Sequence, residues 1–389
     1  MPKNCKIGKA GTEKKVAKRQ KIVEKGKLLF ERRGMQGGAG RKILVAMSGG
    51  VDSSVAALLL REAGHEIAGA TMLLGVHRPG DAPGRFTDES AADAQRVCDQ
   101  LGIPHRTFDF ADLMENRVIA RFIREYQSGR TPNPCVDCNR HLKFGALFAK
   151  ARSLGFDCLA TGHYARIVKR QSRWALMRPK DESKDQTYFL YPIPAGDLPS
   201  ILFPLGALTK TEVRGMARRA ALQTALREDS QDLCFVTAGN YRQLFEDRRL
   251  PVVPGEIVNP AGQVLGRHRG IVSYTIGQRS GLGISAKTPL YVLGFDPAKN
   301  RVVVGKREEL RSSGCIAGDL NMLADRFPED VEAKIRYRKR PVRCRVIREG
   351  DRMKVVFEQA QEAVTPGQSV VFYAADEVLG GGVIEEVIR

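Results

Sequence analysis

With 389 residues, 42% of them hydrophobic, the chain has the length for two or three domains with cores of their own. Its formal net charge of +19 makes a polyanion the first partner to expect, but residues 1–42 alone hold 14 Lys or Arg against 3 Asp or Glu, so the excess on the remainder is weaker. No apolar run reaches the roughly 18 residues needed to cross a bilayer and no signal-peptide core is visible. These features argue against a membrane partner and predict an intracellular, cytoplasmic chain whose 8 cysteines are mostly reduced.

Residues 1–40 are rich in lysine and, toward their end, in glycine, without a sustained apolar period; a mobile basic arm is expected there. The stretch around which the rest of the chain is organised is Arg41–Ala63. Lys42–Met47 is a short apolar run suited to a central parallel strand, and Val55–Leu60 is apolar nearly all round, as in a helix pressed onto a sheet. Between them lies Ser48-Gly49-Gly50-Val51-Asp52-Ser53-Ser54. Two glycines let the backbone approach an anion, the hydroxyls add donors, and the helix start adds unpaired N–H groups and its dipole. No lysine comes after the glycines as in a Walker A loop, and G-x-G-x-x-G is absent. SGGVDSS directly after a strand instead resembles the pyrophosphate loop of enzymes that cleave ATP between the α and β phosphates. Asp52, amid the phosphate donors, suits a Mg²⁺ position.

From there strands and helices alternate: Glu66–Leu74 as strand, Glu89–Leu101 as helix, His105–Phe110 as strand, Asp112–Gln127 as helix. Such alternation predicts an α/β fold with a doubly wound parallel sheet, whose ligands bind at the carboxyl ends of the strands. Residues 48–53 lie at that edge, and Met72 near the end of the next strand would neighbour an adenine. Gly75–Thr87 reads as a polar surface loop. In Gly129–Arg140 two prolines interrupt regular structure, and the residues after Cys138 open a helix through Leu142, Phe144, Leu147 and Phe148. Cys135 and Cys138 near a helix start are favoured as thiolates. Three readings are open for them: a zinc site wanting two further ligands, a thioredoxin-like pair needing a different fold, or sulfur chemistry on an adenylated substrate. Cys98, Cys158 and Cys344 fall on apolar faces and are expected in cores, while Cys5 and Cys315 carry no pattern.

Asp157–Tyr164 reads as another buried strand ending in a polar turn at the same edge. Gly162 would let a nucleotide approach, and His163 would either contact RNA or be hydrogen-bonded in place. After a hairpin, Lys184-Asp185-Gln186 enters the apolar run Tyr188–Pro194 as a cap or solvated turn. Thr209-Lys210-Thr211-Glu212 is a capping box for the helix Val213–Leu222. Cys234 stands between a polar loop and Phe235-Val236, either half-buried or free to travel to a partner. A short helix is expected at Tyr241–Arg248. Beyond Ala286, regularly spaced alternating strands predict a small β-barrel, beginning with the hairpin Tyr291–Phe295 and Arg301–Gly305. In the expected strand Glu332–Arg338 alternation puts Lys334, Arg336 and Arg338 on one face, with Arg343 and Arg345 repeating it on the next strand; that face would grip phosphates or simply be solvated.

Taken in order, AMSGGVDSS, GRTPNPCVDCN, LATGHY, SKDQTYFLYP, DSQDLCFV, YTIGQRSGLGI, IRYR and TPGQSVVFY resemble the tRNA-specific 2-thiouridylases over residues 42–388. After the basic arm at 1–40, the resemblance implies a pyrophosphate-loop ATPase domain, a small central domain and a C-terminal β-barrel, in agreement with boundaries at 41–236, 237–285 and 286–389. It implies conversion of the C2 oxygen of a wobble uridine in tRNA to sulfur, with ATP and Mg²⁺. By motif, Ala46, Met47, Ser48, Gly49, Gly50, Val51, Asp52, Ser53, Met72 and Gly162 would bind ATP. Asn133, Pro134 and Cys135 would face the target base, and His163, Lys184, Asp185, Gln186, Arg336, Tyr337 and Gln368 would touch tRNA.

In the implied chemistry, a sulfur donor or relay protein loads Cys234 as a persulfide and Cys138 is the nucleophile that releases the sulfur, leaving a disulfide. Since 96 residues separate the two, the Cys234 loop has to fold over the site. Cys135 stands where part of the family has aspartate, so Cys135, Cys138 and Cys234 are also candidate ligands of a [4Fe-4S] cluster carrying sulfide in place of the relay. The rival readings are a pyrophosphate-loop synthetase acting on a small molecule and a zinc-bearing RNA module. Pyrophosphate release that depends on tRNA separates the three.

Overall fold

The computed structural model describes residues 40–76, 88–171, 173–228, 233–236 and 240–389; nearly all of the basic arm, most of the loop 75–87 and the polar approach to Cys234 lie outside the described residues. The first strands are β1 (Lys42–Ala46), β2 (Glu66–Leu73), β3 (His105–Asp109), β4 (Cys158–Ala160), β5 (Arg166–Arg170), β6 (Arg173–Met177) and β7 (Ile201–Leu202). Five of them form a parallel sheet in the order β3-β2-β1-β4-β7. Helices α1 (Val51–Glu62), α2 (Asp88–Leu101), α3 (Ala111–Gln127), α4 (Pro134–Ser153) and α5 (Lys210–Arg219) cover it.

The period of a strand explains the layering. Ile43 and Val45 of β1 pack among residues of α1, α2 and α5, while Leu44 points the other way, onto Phe144, Leu147 and Phe148 of α4. All three are 0% exposed, each contributing about 1.5–3 kcal/mol of burial. Cys98, Cys158 and Cys344 are in cores as expected, and patternless Cys315 joins them. The strand order reverses between β1 and β4, so the turns leaving those two strands part over a crevice at the carboxyl edge.

After α6 (Arg242–Asp247) come β8 (Gly255–Val258), β9 (Val264–His268), β10 (Tyr291–Asp296) and β11 (Arg301–Gly305), in a sheet of their own ordered β10-β11-β8-β9. The hairpin β10–β11, expected to open the barrel, therefore pairs with β8 instead, through Arg301↔Glu256 to Val303↔Val258. Its alternation identifies strands, but the partner is chosen by Val292, Val302 and Val304, which share a core with Ile257, Tyr274 and Leu282.

The barrel consists of β12 (Arg311–Met322), β13 (Val331–Lys334), β14 (Val342–Glu349), β15 (Arg352–Glu362), β16 (Ser369–Ala374) and β17 (Glu377–Ile388). It closes through β12–β17 pairing. The hairpin β5–β6 adds to β17 at Met177 and Leu176, so part of the first domain extends the barrel's sheet. The expected strand Glu332–Arg338 ends at Lys334, and the chain turns through Tyr337 and Arg338. Lys334 is buried beside Asp185 at 3.9 Å, and Arg336 donates to Ile276 O at 3.2 Å and Thr365 Oγ1 at 2.8 Å. The single basic face is thus not formed; Arg338, Arg340, Arg343, Arg345 and Arg348 are exposed instead. Among the described residues no helix is long and apolar enough to cross a membrane.

Candidate active site

Gly49 turns the chain from β1 toward α1 at φ +70°, where a Cβ would stand 2.6 Å from Ser90 O, so conformation and space both require glycine. Gly50 caps α1 from extended backbone without a side-chain cap. The first-turn amides of a 12-residue helix are left for an anion, with the dipole behind them. The hydroxyls brace the loop from inside: Ser53 Oγ accepts from Ser48 N at 3.2 Å and donates to Gly50 O at 3.1 Å. Ser54 Oγ donates to Gly50 O at 2.8 Å and accepts from Thr224 Oγ1 at 3.0 Å. Arg227 donates to Gly49 O at 3.0 Å from outside. Ala46 and Met72 are half-buried at the ends of β1 and β2.

Asp52 is the carboxylate at this cradle, the hard oxygen donor Mg²⁺ takes. Lys210 Nζ binds its two oxygens at 2.7 and 2.8 Å, and the Tyr164 hydroxyl donates to Oδ1 at 2.9 Å. Lys210 is the first residue of α5, set there by the Thr209–Glu212 capping box. The sequence locates the cap without assigning the lysine; its signal is a cation at the end of a helix where the dipole disfavours one. Gly162 lets the turn after β4 lie on α1: a Cβ would meet Ser53 N at 2.7 Å and the Asp52 carbonyl carbon at 2.8 Å. The close approach is to this backbone.

Helix α4 starts at Pro134, where a missing N–H is harmless, and opens into a π-type segment at Cys138–Leu147. Cys135 is exposed and Cys138 half-buried. Cys234 arrives by tertiary packing: Leu233, Phe235 and Val236 share an apolar cluster with Cys138, and the Phe235 ring meets Phe122 edge-on at 5.2 Å. All three cysteines are free thiols. Burial pushes the Cys135 thiol up to about 11 and Cys234 up to about 12, and raises Cys138 as well; Lys143 opposes the rise in all three. The thiolates expected from the helix start are therefore not favoured at rest, because desolvation outweighs the dipole. Among the described residues no three His, Cys, Asp or Glu side chains are placed to hold a metal ion. Cys135, Cys138 and Cys234 lie near enough for their charges to interact, and soft thiolates of this kind are the ligand set that a [4Fe-4S] cluster takes.

His163, next to Gly162, bonds Thr161 Oγ1 through Nδ1 at 2.7 Å and faces Lys143 Nζ through Nε2 at 3.4 Å. Burial, then the Lys143 charge, lowers its pKa well below the usual value, so the ring is neutral. Both nitrogens are engaged inside the protein. Several other residues expected on RNA also brace the site. Asp185 accepts from Thr187 N at 2.9 Å, and Gln186 Oε1 accepts from Tyr164 N at 2.8 Å. Gln368 Nε2 donates to Thr131 O and Pro132 O at 3.0 Å each, fastening the cysteine loop to the barrel. Asn133 lies at that loop's end as the residue before α4. The Tyr337 ring packs against Phe189 at a tilt, with centroids 4.5 Å apart, and Lys184 is half-buried nearby.

The chain matches the tRNA methyl transferase HUP domain over residues 41–238, the tRNA methyl transferase PRC-barrel domain over 243–306 and the Aminomethyltransferase beta-barrel domain over 312–384. It is 56% identical to the tRNA-specific 2-thiouridylase MnmA 1 of Syntrophus aciditrophicus, over 90% of this chain and 94% of that one. It is 48% identical to the tRNA-specific 2-thiouridylase MnmA of Carboxydothermus hydrogenoformans, over 89% of this chain and 98% of that one. Among solved structures it is similar to the U34-tRNA thiolase NcsA from Methanococcus maripaludis with its [4Fe-4S] cluster, at TM-score 0.37 and 19% identity, covering 56% of this chain and 68% of that one.

Proposed function

The chain belongs to the tRNA-specific 2-thiouridylase family, and from that premise we propose that its crevice activates the C2 oxygen of a tRNA wobble uridine with ATP and replaces it by sulfur. The observation that carries this reading is one run of contacts across the sheet edge. Gly162 lies on the phosphate loop at Ser53, His163 beside it meets Lys143, and Lys143 shares the segment Cys138–Leu147 with Cys138.

In this reading the amides and serines of residues 48–53 hold the ATP phosphates, with Ala46, Met47 and Met72 toward the adenine. Asp52 would hold the Mg²⁺ that accompanies ATP, whose charge eases departure of pyrophosphate. The uridine C2 oxygen attacks the α phosphorus, the bond to pyrophosphate breaks, and the oxygen becomes part of an AMP leaving group. Cys234 carries a persulfide received from a sulfur donor protein. The Cys138 thiolate attacks Cys234 Sγ, the persulfide S–S bond breaks, and hydrosulfide adds to C2 as AMP departs. A Cys138–Cys234 disulfide remains for a cellular dithiol to reduce. Asn133, Pro134 and Cys135 would frame the base. The exposed arginines of the barrel would take tRNA phosphates, and the reaction belongs in the cytoplasm.

The test combines purified protein, tRNA, ATP and a persulfide donor, with nucleoside mass analysis. Thiolation should fall by at least about a hundredfold in Cys138→Ser and in Cys234→Ser, and pyrophosphate release should require tRNA. Release at full rate without tRNA would overturn the reading in favour of a small-molecule synthetase.

A further inference from the structure

Arg227 has no part in the steps above, yet it grips the phosphate loop at its least determined point. Gly49 and Gly50 stand in succession, so no Cβ on either side of their peptide opposes its rotation, and the loop by itself does not decide which way that peptide faces. The bond between them is trans, which sets its C=O and its N–H on opposite sides. Arg227 Nη1 donates to the Gly49 carbonyl at 3.0 Å. The Gly50 N–H is thereby turned away from the guanidinium, and among the described residues no backbone acceptor takes it. The guanidinium is held in its turn. It pairs with Asp93 on α2, the helix whose Ser90 O would stand 2.6 Å from a Cβ on Gly49. From α5, Arg214 Nη1 donates to Arg227 O at 3.2 Å. Thr224 Oγ1 reaches Ser54 Oγ at 3.0 Å, so residues 224–227 run along both the loop and the first turn of α1.

We propose that Arg227 is a positioning residue for ATP: by holding the Gly49 carbonyl it keeps the Gly50 amide directed at the ATP phosphates. The proposal rests on the ATP reading of this loop and adds the residue that selects its binding form. Without Arg227 the Gly49–Gly50 peptide is free to rotate, and a rotated peptide offers the phosphates a carbonyl oxygen where a donor is required. A hydrogen bond to a charged acceptor is then lost, and repulsion between oxygens takes its place. Asp93 belongs to the same device, because it fixes the guanidinium that fixes the peptide. By charge alone, an acid this close to an anion site would be unfavourable.

The test is calorimetric titration of the full chain, in Mg²⁺ and without tRNA, with ATP, inorganic pyrophosphate and adenosine as separate ligands. Arg227→Ala should weaken ATP and pyrophosphate by about tenfold and leave adenosine within about twofold of the parent. Arg227→Lys, which can still donate to the carbonyl and pair with Asp93, should recover most of the loss. Asp93→Ala keeps the Cβ that lies beside Gly49 and should weaken ATP by several-fold, with no further loss when it is combined with Arg227→Ala. If Arg227 were instead a direct ligand of the phosphates, Asp93→Ala would release its charge to them and tighten ATP. Tighter ATP binding in that variant, unchanged ATP binding in Arg227→Ala, or equal losses of ATP and adenosine there, overturns the proposal. A parent chain that binds no ATP overturns it together with the functional reading. Failure of tRNA thiolation with this binding pattern intact counts against the functional reading alone.

Discussion

Gly162 and Asp137 show what single positions contribute. At Gly162 a methyl group would press on the first turn of α1, with Ser53 N at 2.7 Å. Overpacking of this kind costs about 1–3 kcal/mol and here would displace the first-turn amides proposed to hold the ATP phosphates. Gly162→Ala should lower the melting temperature and cut tRNA-dependent pyrophosphate release by about tenfold or more. Asp137 lies buried between the cysteines, accepting from Arg121 Nη1 at 3.0 Å. Burial, opposed by Arg121, lifts its carboxyl from 3.8 to about 6. A carboxyl with a higher pKa folded than unfolded binds its proton more tightly when folded, so its contribution to stability is full below pH 3.8 and lost as pH rises through about 6. Urea midpoints across that window should vary less with pH in Asp137→Asn than in the parent.

The element that matters most is the cysteine loop with the start of α4, because the barrel holds it. Thr131 N donates to Pro366 O at 2.9 Å, and Gln368 adds its two bonds. A Cβ on Gly367 would stand 2.8 Å from Thr131 O. Gln368→Ala leaves two carbonyls short of a donor, a loss of about 1–3 kcal/mol. Amide exchange should rise in residues 131–138, and thiolation should drop by several-fold. The same loop decides the sulfur route. Protein purified anaerobically should contain no stoichiometric iron, and Cys135→Ala should keep thiolation within about threefold of the parent. Bound iron together with loss of activity in that variant would replace the persulfide route. The sequence marks this loop by its prolines and cysteines, but gives no sign of the π-type segment beyond it, since apolar spacing through Leu142 and Leu147 suits an ordinary helix equally well.

Across the whole molecule, charge is divided between structural and exposed uses. Lys334 and Arg336 are consumed internally, whereas Arg343 and Arg345 on β14 are exposed on either side of buried Cys344. Replacing both by alanine should weaken tRNA binding and lower the slope of log affinity against log salt by about 0.7–0.9 for each phosphate no longer neutralised. An unchanged slope would place the RNA elsewhere. The hairpin β5–β6, joined to β17, ties barrel and first sheet together, so a barrel gripping RNA is mechanically continuous with the turn that carries His163.

Local rules were enough for β1, its glycine turn, α1, the alternating strands and helices, the capping box at Thr209 and the burial of Cys98, Cys158 and Cys344, since each is set by periodicity, backbone freedom or capping within a few residues. Tertiary packing alone decided that β10 and β11 pair with β8, that Lys334 and Arg336 turn inward, that Gln368 clasps the cysteine loop, and that Lys210 reaches Asp52. Those outcomes depend on which apolar surfaces meet and which buried polar groups need a partner across long chain separations. Residues adjacent in sequence carry no record of either.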